Sequence, residues 1–235
     1  MNLILLFQDD FIDNTIVRLQ GRRLKHVLEV HRASVGDELC VGVLNGQIGF
    51  GKVLLLTQSA LEMEVRLERA PPPALPLTLI LALPRPKVLR RVLRSVSSLG
   101  VKKVFLLNCF RVEKSFWQSP FLSEETLKEQ LVLGLEQARD TTLPEVLLRP
   151  LFKPFVEDEL PALIEGTLPF VAHPHATAPC PREIKRAVTL AIGPEGGFIP
   201  YEIEKLVASG FISVQIGERI LSVETAVPVF ISRLF

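Results

Sequence analysis

The stretch AIGPEGGF, residues 191–198, ends an apolar run in three glycines and a proline. An amphipathic segment, FIPYEIEKLVASGF (198–211), follows at once. A buried strand that delivers the chain through a glycine turn into a helix is the repeating step of α/β folds, and in open sheets ligands bind beyond the carboxyl ends of such strands. The stretch fits neither known phosphate loop. No Lys-Ser or Lys-Thr follows Gly196 or Gly197 as a Walker loop requires, and Gly193 to Gly197 does not follow GxGxxG. Glu195 would also repel phosphate from an anion cradle. Two readings remain for this stretch alone. It is either an ordinary strand-to-helix turn or a backbone wall for a neutral or cationic ligand, with glycines permitting close approach.

Working outward, the same rhythm recurs. LTLILAL (77–83), VKKVFLLNC (101–109), LPFVAHP (168–174), AVTLAIGP (187–194) and SVQIGE (213–218) are short apolar runs. KVLRRVLRSVSSLG (87–100) has helical apolar spacing at Val88, Leu89, Val92, Leu93 and Val96, with Gly100 as a stop signal. SEETLKEQLVLGLEQARD (123–140) opens with Ser123 as an N-cap candidate and two glutamates in its first turn. Apolar strands alternating with helices predict a parallel sheet covered on both faces.

Upstream the character changes. DELCVGVLNGQIGFGKVLLL (37–56) places Asn45-Gly46 between β-rich arms, a hairpin signal. LEMEVRLER (61–69) alternates apolar and charged residues, as a half-exposed strand does. The basic segment GRRLKHVLEVHR (21–32) predicts a short helix within this small β-rich, barrel-like module. RAPPPALP (69–76) then fixes φ and removes amide donors, so neither helix nor central strand continues through it. The expected division is a β domain over 1–70, a proline-rich linker over 71–76 and an α/β domain over 77–235.

Composition excludes several classes. With 235 residues, 48% of them hydrophobic, the chain supports a real core rather than disorder. A net charge of +1 announces no global nucleic-acid field. Cys40, Cys109 and Cys180 are dispersed without CxxC spacing, and the four histidines form no HExxH, so reduced thiols and no metal site are expected. The start, MNLILLFQDDF, lacks a basic region, and no apolar run approaches the roughly 20 residues of a membrane span. A soluble cytoplasmic protein is expected.

Charge is instead local. Arg18, Arg22, Arg23, Lys25 and Arg32 face only Glu29 over residues 18–32, joined by His26 and His31. A second cluster runs from Arg85 to Lys114. Either is a phosphate-binding patch or a solvated face. Trp117 and Tyr201 are candidates to stack on a base or to pack in a core.

Two further strand ends carry unusual chemistry, VAHPHA (171–176) and IGERILSVETA (216–226). With IGPEGGF they form a set that resembles the 16S ribosomal RNA uridine-N3 methyltransferases of the SPOUT superfamily. LGLEQARDTTLPEV, VEKS and HVLEVHRASVGDEL add to the resemblance, which spans nearly the whole chain. It implies a SPOUT-type parallel sheet with a C-terminal trefoil knot, preceded by a PUA-like or OB-like β-barrel that binds RNA. It further implies a homodimer whose knot loops hold S-adenosylmethionine. On this chain those loops are His173 and Pro174, then Ile192, Gly193, Pro194, Glu195, Gly196 and Gly197, then Ile216, Gly217, Arg219, Ile220 and Leu221.

The implied reaction is methylation of uridine N3 in 16S ribosomal RNA of the small subunit, without a metal. Arg111, in FRVEKS, matches a family arginine and is the first catalytic candidate. Arg139 is the second, and Glu195 and Glu224 are the candidate bases. Arg18, Arg22, Arg23, Lys25, His26 and Arg32 are the candidate RNA contacts. The chain departs from the family pattern at Ser222, where RILRxETA has a second arginine, and at SVSSLG and LPRPK. Alternatives are a non-catalytic RNA-binding relative of the same fold and a methyltransferase for another RNA position.

Overall fold

The computed structural model describes residues 2–235, which divide into two compact units. The first comprises Met1–Pro73 with Leu131–Leu143, and the second Ala74–Gln130 with Pro144–Phe235.

In the first unit the elements are β1 (Ile4–Leu6), β2 (Ile16–Leu19), α1 (Gly21–His26), β3 (Glu38–Val43), β4 (Ile48–Leu56) and β5 (Leu61–Arg69). They form one five-stranded sheet in the order β1-β3-β4-β5-β2, parallel only between β1 and β3. The Asn45-Gly46 signal marks the β3–β4 turn, where Asn45 takes φ +58°, a left-handed conformation that asparagine tolerates. Helix α1 runs on into a π-type turn over Val27–His31. Leu24 and Val27 from this segment join Val17, Leu19, Leu61 and Met63 in one buried core.

The segment Leu131–Leu143 was expected in the α/β domain, yet its contacts lie with the first unit. Val132 and Leu135 pack there with Leu3, Leu5 and Ile48 in a second buried cluster. Helical spacing shows that a face is apolar without showing which core it enters, and this core lies far away in sequence.

The second unit contains β6 (Leu77–Ala82), α2 (Pro86–Ser98), β7 (Lys103–Leu107), α3 (Lys114–Trp117) and the start of α4 (Glu124–Ala138). It continues with β8 (Glu145–Arg149), α5 (Phe152–Pro154), α6 (Leu160–Ile164), β9 (Leu168–Ala172) and β10 (Ala178–Pro179). It ends with β11 (Val188–Ile192), α7 (Pro200–Ala208), β12 (Ile212–Gln215) and α8 (Val223–Leu234). The sheet order is β10-β12-β9-β11-β6-β7-β8, and every neighbouring pair is parallel.

Central β11 is buried at all five positions, which explains its unbroken apolar character. Its one hydroxyl, Thr189 Oγ1, is satisfied by Thr167 Oγ1 at 3.0 Å. Helix α2 buries Leu89, Val92, Leu93 and Val96, and α8 packs against it. Ser123 does precede α4, and its Oγ accepts the Thr126 N–H at 3.3 Å. Helix α8 begins at Val223, within the SVETA end of the third motif, and accommodates Pro228. Strand β10 has two residues, and β8 lies at the other edge of the sheet, its Val146-Leu147-Leu148 run flanked by Glu145 and Arg149.

Candidate functional site

The sheet order sets β12, β9 and β11 side by side. Their carboxyl ends are the three strand ends with unusual chemistry, and parallel register delivers all three to one edge of the sheet. Between them lies a cleft of about 260 Å³. Every residue expected to hold a cofactor lines it: His173 and Pro174 after β9, Ile192 through Gly197 after β11, and Ile216, Gly217, Arg219, Ile220 and Leu221 after β12. Arg111, from the loop after β7, lies on the same wall.

The glycine turn is tight. The Gly197 N–H donates to the Pro194 carbonyl at 2.7 Å, and Gly197 has φ +72°, which a side chain would strain. A Cβ at Gly193 would sit 2.9 Å from the backbone nitrogen of Phe198, which cannot move independently. The Arg111 guanidinium donates to the Gly196 carbonyl, and its stem lies against the face where a Gly196 side chain would be.

A carboxylate outside the cleft positions that arginine. Glu202 is only 3% exposed. One of its oxygens accepts the Phe110 N–H at 2.7 Å and the other the Ile199 N–H at 2.9 Å. It thereby ties the loop carrying Arg111 to the start of α7. Pro200 at the first helical position with an acid two residues on is a readable helix start, but its link to Phe110 is a tertiary fact.

Each of the two candidate bases has an arginine beside it. Glu195 lines the cleft, but its Oε1 accepts the Arg85 N–H at 3.0 Å and lies 3.6 Å from Arg85 Nε. It braces the β6–α2 junction. Glu224 is not among the lining residues, and its carboxylate faces Arg91 of α2 at 3.8 Å. Arg139 is not among them either. It follows α4 at φ +55°, groups with the first unit, and lines a different cavity there with Glu38, Glu68 and Arg69.

Sequence reasoning missed several cleft residues. Gln215, the last residue of β12, presents a buried Oε1 that has no hydrogen-bond partner among the described residues. Phe198, Val223, Ala226 and Phe230 supply apolar lining from α8 and the approach to α7. His175 also lines the cleft, with its ring 5.6 Å from that of His173 in an edge-on arrangement. Burial, and secondly His175, holds the His173 pKa below its ordinary 6.5, so the ring is neutral at neutral pH. Ile220 is 75% exposed on the rim.

Three of the expected RNA-contacting arginines of the first unit, Arg18, Arg22 and Arg23, are engaged in ion pairs. Arg18 donates to Glu62 at 2.6 and 2.9 Å. Arg22 forks onto Glu136 at 2.9 and 3.1 Å, and that carboxylate is fully buried. Arg23 donates to both oxygens of Asp10 and to the Leu5 carbonyl. These ion pairs engage all three guanidinium groups, so charge reversal at Arg22 or Arg23 would disturb folding as well as any RNA contact. The partners stand far away in sequence or outside the basic run, which is why the charge pattern did not reveal them. Lys25, 3.8 Å from Glu29, and Arg32, at φ +51° after the π-type turn, are exposed, while His26 packs edge-on against His31 at 5.2 Å.

Among the described residues no helix is long and apolar enough to cross a membrane, and no group of three or more His, Cys, Asp or Glu could hold a metal. All three cysteines are free. Burial pushes the Cys109 thiol far up and Cys180 up to about 11, so neither is a thiolate nucleophile at neutral pH.

A family profile described as an RNA methyltransferase domain matches residues 71–235. The chain is 30% identical to ribosomal RNA small subunit methyltransferase E of Treponema pallidum, over 96% of this chain and 87% of that protein. It is 22% identical to ribosomal RNA small subunit methyltransferase E 1 of Borreliella burgdorferi, over 96% of this chain and 94% of that one. Among solved structures, its fold is similar to ribosomal RNA small subunit methyltransferase E of Neisseria gonorrhoeae bound to S-adenosyl methionine. That match has a TM-score of 0.74 at 18% identity, covering 98% of this chain and 95% of that one.

Proposed function

The chain belongs to the ribosomal RNA small subunit methyltransferase E family, and from that premise we propose that it methylates N3 of a uridine in 16S ribosomal RNA with S-adenosylmethionine as donor. The observation that carries this is the convergence of three strand ends on one cleft, lined by every residue expected to hold the cofactor and flanked by Arg111.

The residues present suit such a donor. Backbone groups of the 193–197 turn can read an adenine edge, and Gln215 offers an unpaired acceptor of the kind an amino group satisfies. Ile220 and Leu221 can cover a flat ring. When bound, S-adenosylmethionine supplies an electrophilic methyl group on a cationic sulfur. Neutral His173 adds no charge opposing that cation. For the transfer, the N3 proton passes to bulk solvent, and N3 takes the methyl group, leaving the cofactor's sulfur as a neutral thioether. Arg111 uses one donor group on Gly196 and keeps others for the uracil oxygens, where negative charge develops. Most of the remaining barrier is lowered by holding two reactants in line. Glu195 and Glu224, paired with Arg85 and Arg91, serve as braces rather than bases.

The same reading includes three architectural points. Strand β11 lies between β6 and β9, both earlier in the chain, and this insertion supports a trefoil knot in the C-terminal segment. Exposed Ile220 and Val229 support a homodimer. The five-stranded sheet of the first unit, with Lys25, His26 and Arg32 on its helical segment, supports a PUA-like RNA-binding domain over 1–70, joined by 71–76 to a SPOUT domain over 77–235. Ribosomal RNA as substrate fits a cytoplasmic site of action.

The decisive experiment is methyl transfer from labelled S-adenosylmethionine to unmethylated small-subunit particles, with mapping of the product. Label at N3 of one 16S uridine is expected. Cofactor binding without incorporation would favour the non-catalytic relative, a reading that rests on Ser222 where the family pattern has arginine. Label at another position would leave a methyltransferase of different target.

A further inference from the structure

Beside the cofactor cleft, at the carboxyl ends of β7 and β8, the second unit has another cavity, of about 560 Å³. Phe110, Trp117, Phe152 and Tyr201 contribute rings to it. Phe110 is 79% exposed and Tyr201 48%, with the Lys205 ammonium 5.9 Å from the Tyr201 ring centre, so both rings are open to solvent. We infer that this cavity is a nucleobase subsite: it holds an unpaired base of the RNA substrate, next to the nucleotide being methylated. The inference deepens the proposed function and rests on it for the identity of the RNA.

The chemistry favours a base over other occupants. Every base offers a π face, and stacking on aromatic side chains is the common, sequence-tolerant way to hold one. The Trp117 indole N–H donates to Asn108 Oδ1 at 2.9 Å, which fixes the ring and leaves the Asn108 amide N–H groups for a base edge. Glu202 lines the cavity, but both its oxygens are occupied by backbone N–H groups. The rim carries exposed Lys114 and Lys153. Lys153 lies only 3.9 Å from Glu157, a carboxylate that Lys205 already engages at 2.9 Å. Cationic groups beside exposed rings suit the phosphate backbone of a single strand. The exposed lysines favour a polyanion over a protein partner docking on an apolar face. Adjacent residues of one loop, Phe110 and Arg111, line the two cavities, so one RNA strand can reach both.

Trp117 is the only tryptophan of the chain, so its emission reports directly on this cavity. The probe is a short single-stranded oligouridine titrated into the full-length protein. Saturable quenching of Trp117 is expected. Phe110→Leu, which keeps apolar bulk and loses the ring, should raise the midpoint on the order of tenfold, and Phe110→Leu with Tyr201→Leu on the order of a hundredfold. Phe110→Tyr should restore it. Cofactor affinity by calorimetry and the circular dichroism spectrum should stay at wild-type values in Phe110→Leu. Tyr201→Leu alone is the second variant should the double one misfold.

Absent quenching, or an unchanged midpoint in Phe110→Leu, overturns the subsite. So does a change in self-association by sedimentation without a change in RNA midpoint, which would give the cavity to a second copy. Methyl transfer by the wild type is measured separately. Transfer without a Trp117 response sinks the subsite alone, and a Trp117 response without transfer sinks the catalytic reading alone.

Discussion

Arg22 and Arg23 of the α1 cluster and Arg111, near the end of the second basic cluster, look alike in sequence, but the structure treats them differently. Arg22 and Arg23 end on carboxylates, one of them the fully buried Glu136. Arg111 ends on a backbone carbonyl at the wall of a cleft. A guanidinium paired with a buried carboxylate holds a fold together. One resting on a carbonyl retains its charge for a substrate. Local charge therefore locates candidates, and the partner decides which can do chemistry.

The sharpest way to break this contrast is to remove each arginine and read both stability and activity. Arg111→Ala should lower single-turnover methyl transfer by about a hundred- to a thousandfold, with cofactor affinity and the urea midpoint little changed. A wild-type transfer rate would remove Arg111 from the mechanism. Arg22→Ala should do the reverse. It strands the buried Glu136 carboxylate and should cost roughly 3 kcal/mol in urea unfolding. Unchanged stability would show that the α1 cluster is not structural after all.

Two smaller effects sharpen the cleft side. Gly193→Ala pushes a methyl group against the backbone of Phe198, so the turn must shift. Calorimetry should show S-adenosylmethionine affinity weakened by roughly tenfold, as for ordinary overpacking of about 1–2 kcal/mol. Wild-type affinity would show that the turn does not shape the cofactor site. The smallest effect separates the two histidine pairs. His26 and His173 both have pKa values held below the ordinary 6.5, chiefly by burial. With the folded value below the unfolded one, the stabilisation from each neutral ring is present above about pH 6.5 and lost as the pH falls below it. Acidification through that range should lower stability through His26 and His173. It should weaken S-adenosylmethionine binding a few-fold through His173, and His173→Gln should flatten that binding profile while leaving the contribution of His26. A profile that the variant does not alter would break the assignment.

Much of the cleft was legible because strand ends are local. Apolar runs ending at His173, at Gly193 and at Gly217 announce where three strands stop, and parallel pairing brings such ends to one edge. Gln215 was less legible, since it reads as one more strand residue until its Oε1 is found buried without a partner. For Arg139 and Glu224 the motifs carry no sign of their neighbours. The first follows a helix whose second half packs in another core, and the second turns toward Arg91.

By itself the sequence determined the alternation of buried strands and helices, the proline break after residue 70 and the three glycine- or proline-marked loops, because each depends on periodicity and backbone freedom over a few residues. Only the tertiary structure decided the order β12-β9-β11 that joins those loops into one cleft, the membership of residues 131–143, and which arginines are spent on carboxylates. The reason is range. Arg22 and Glu136 are 114 residues apart, and no local pattern in the chain reports a partner at that distance.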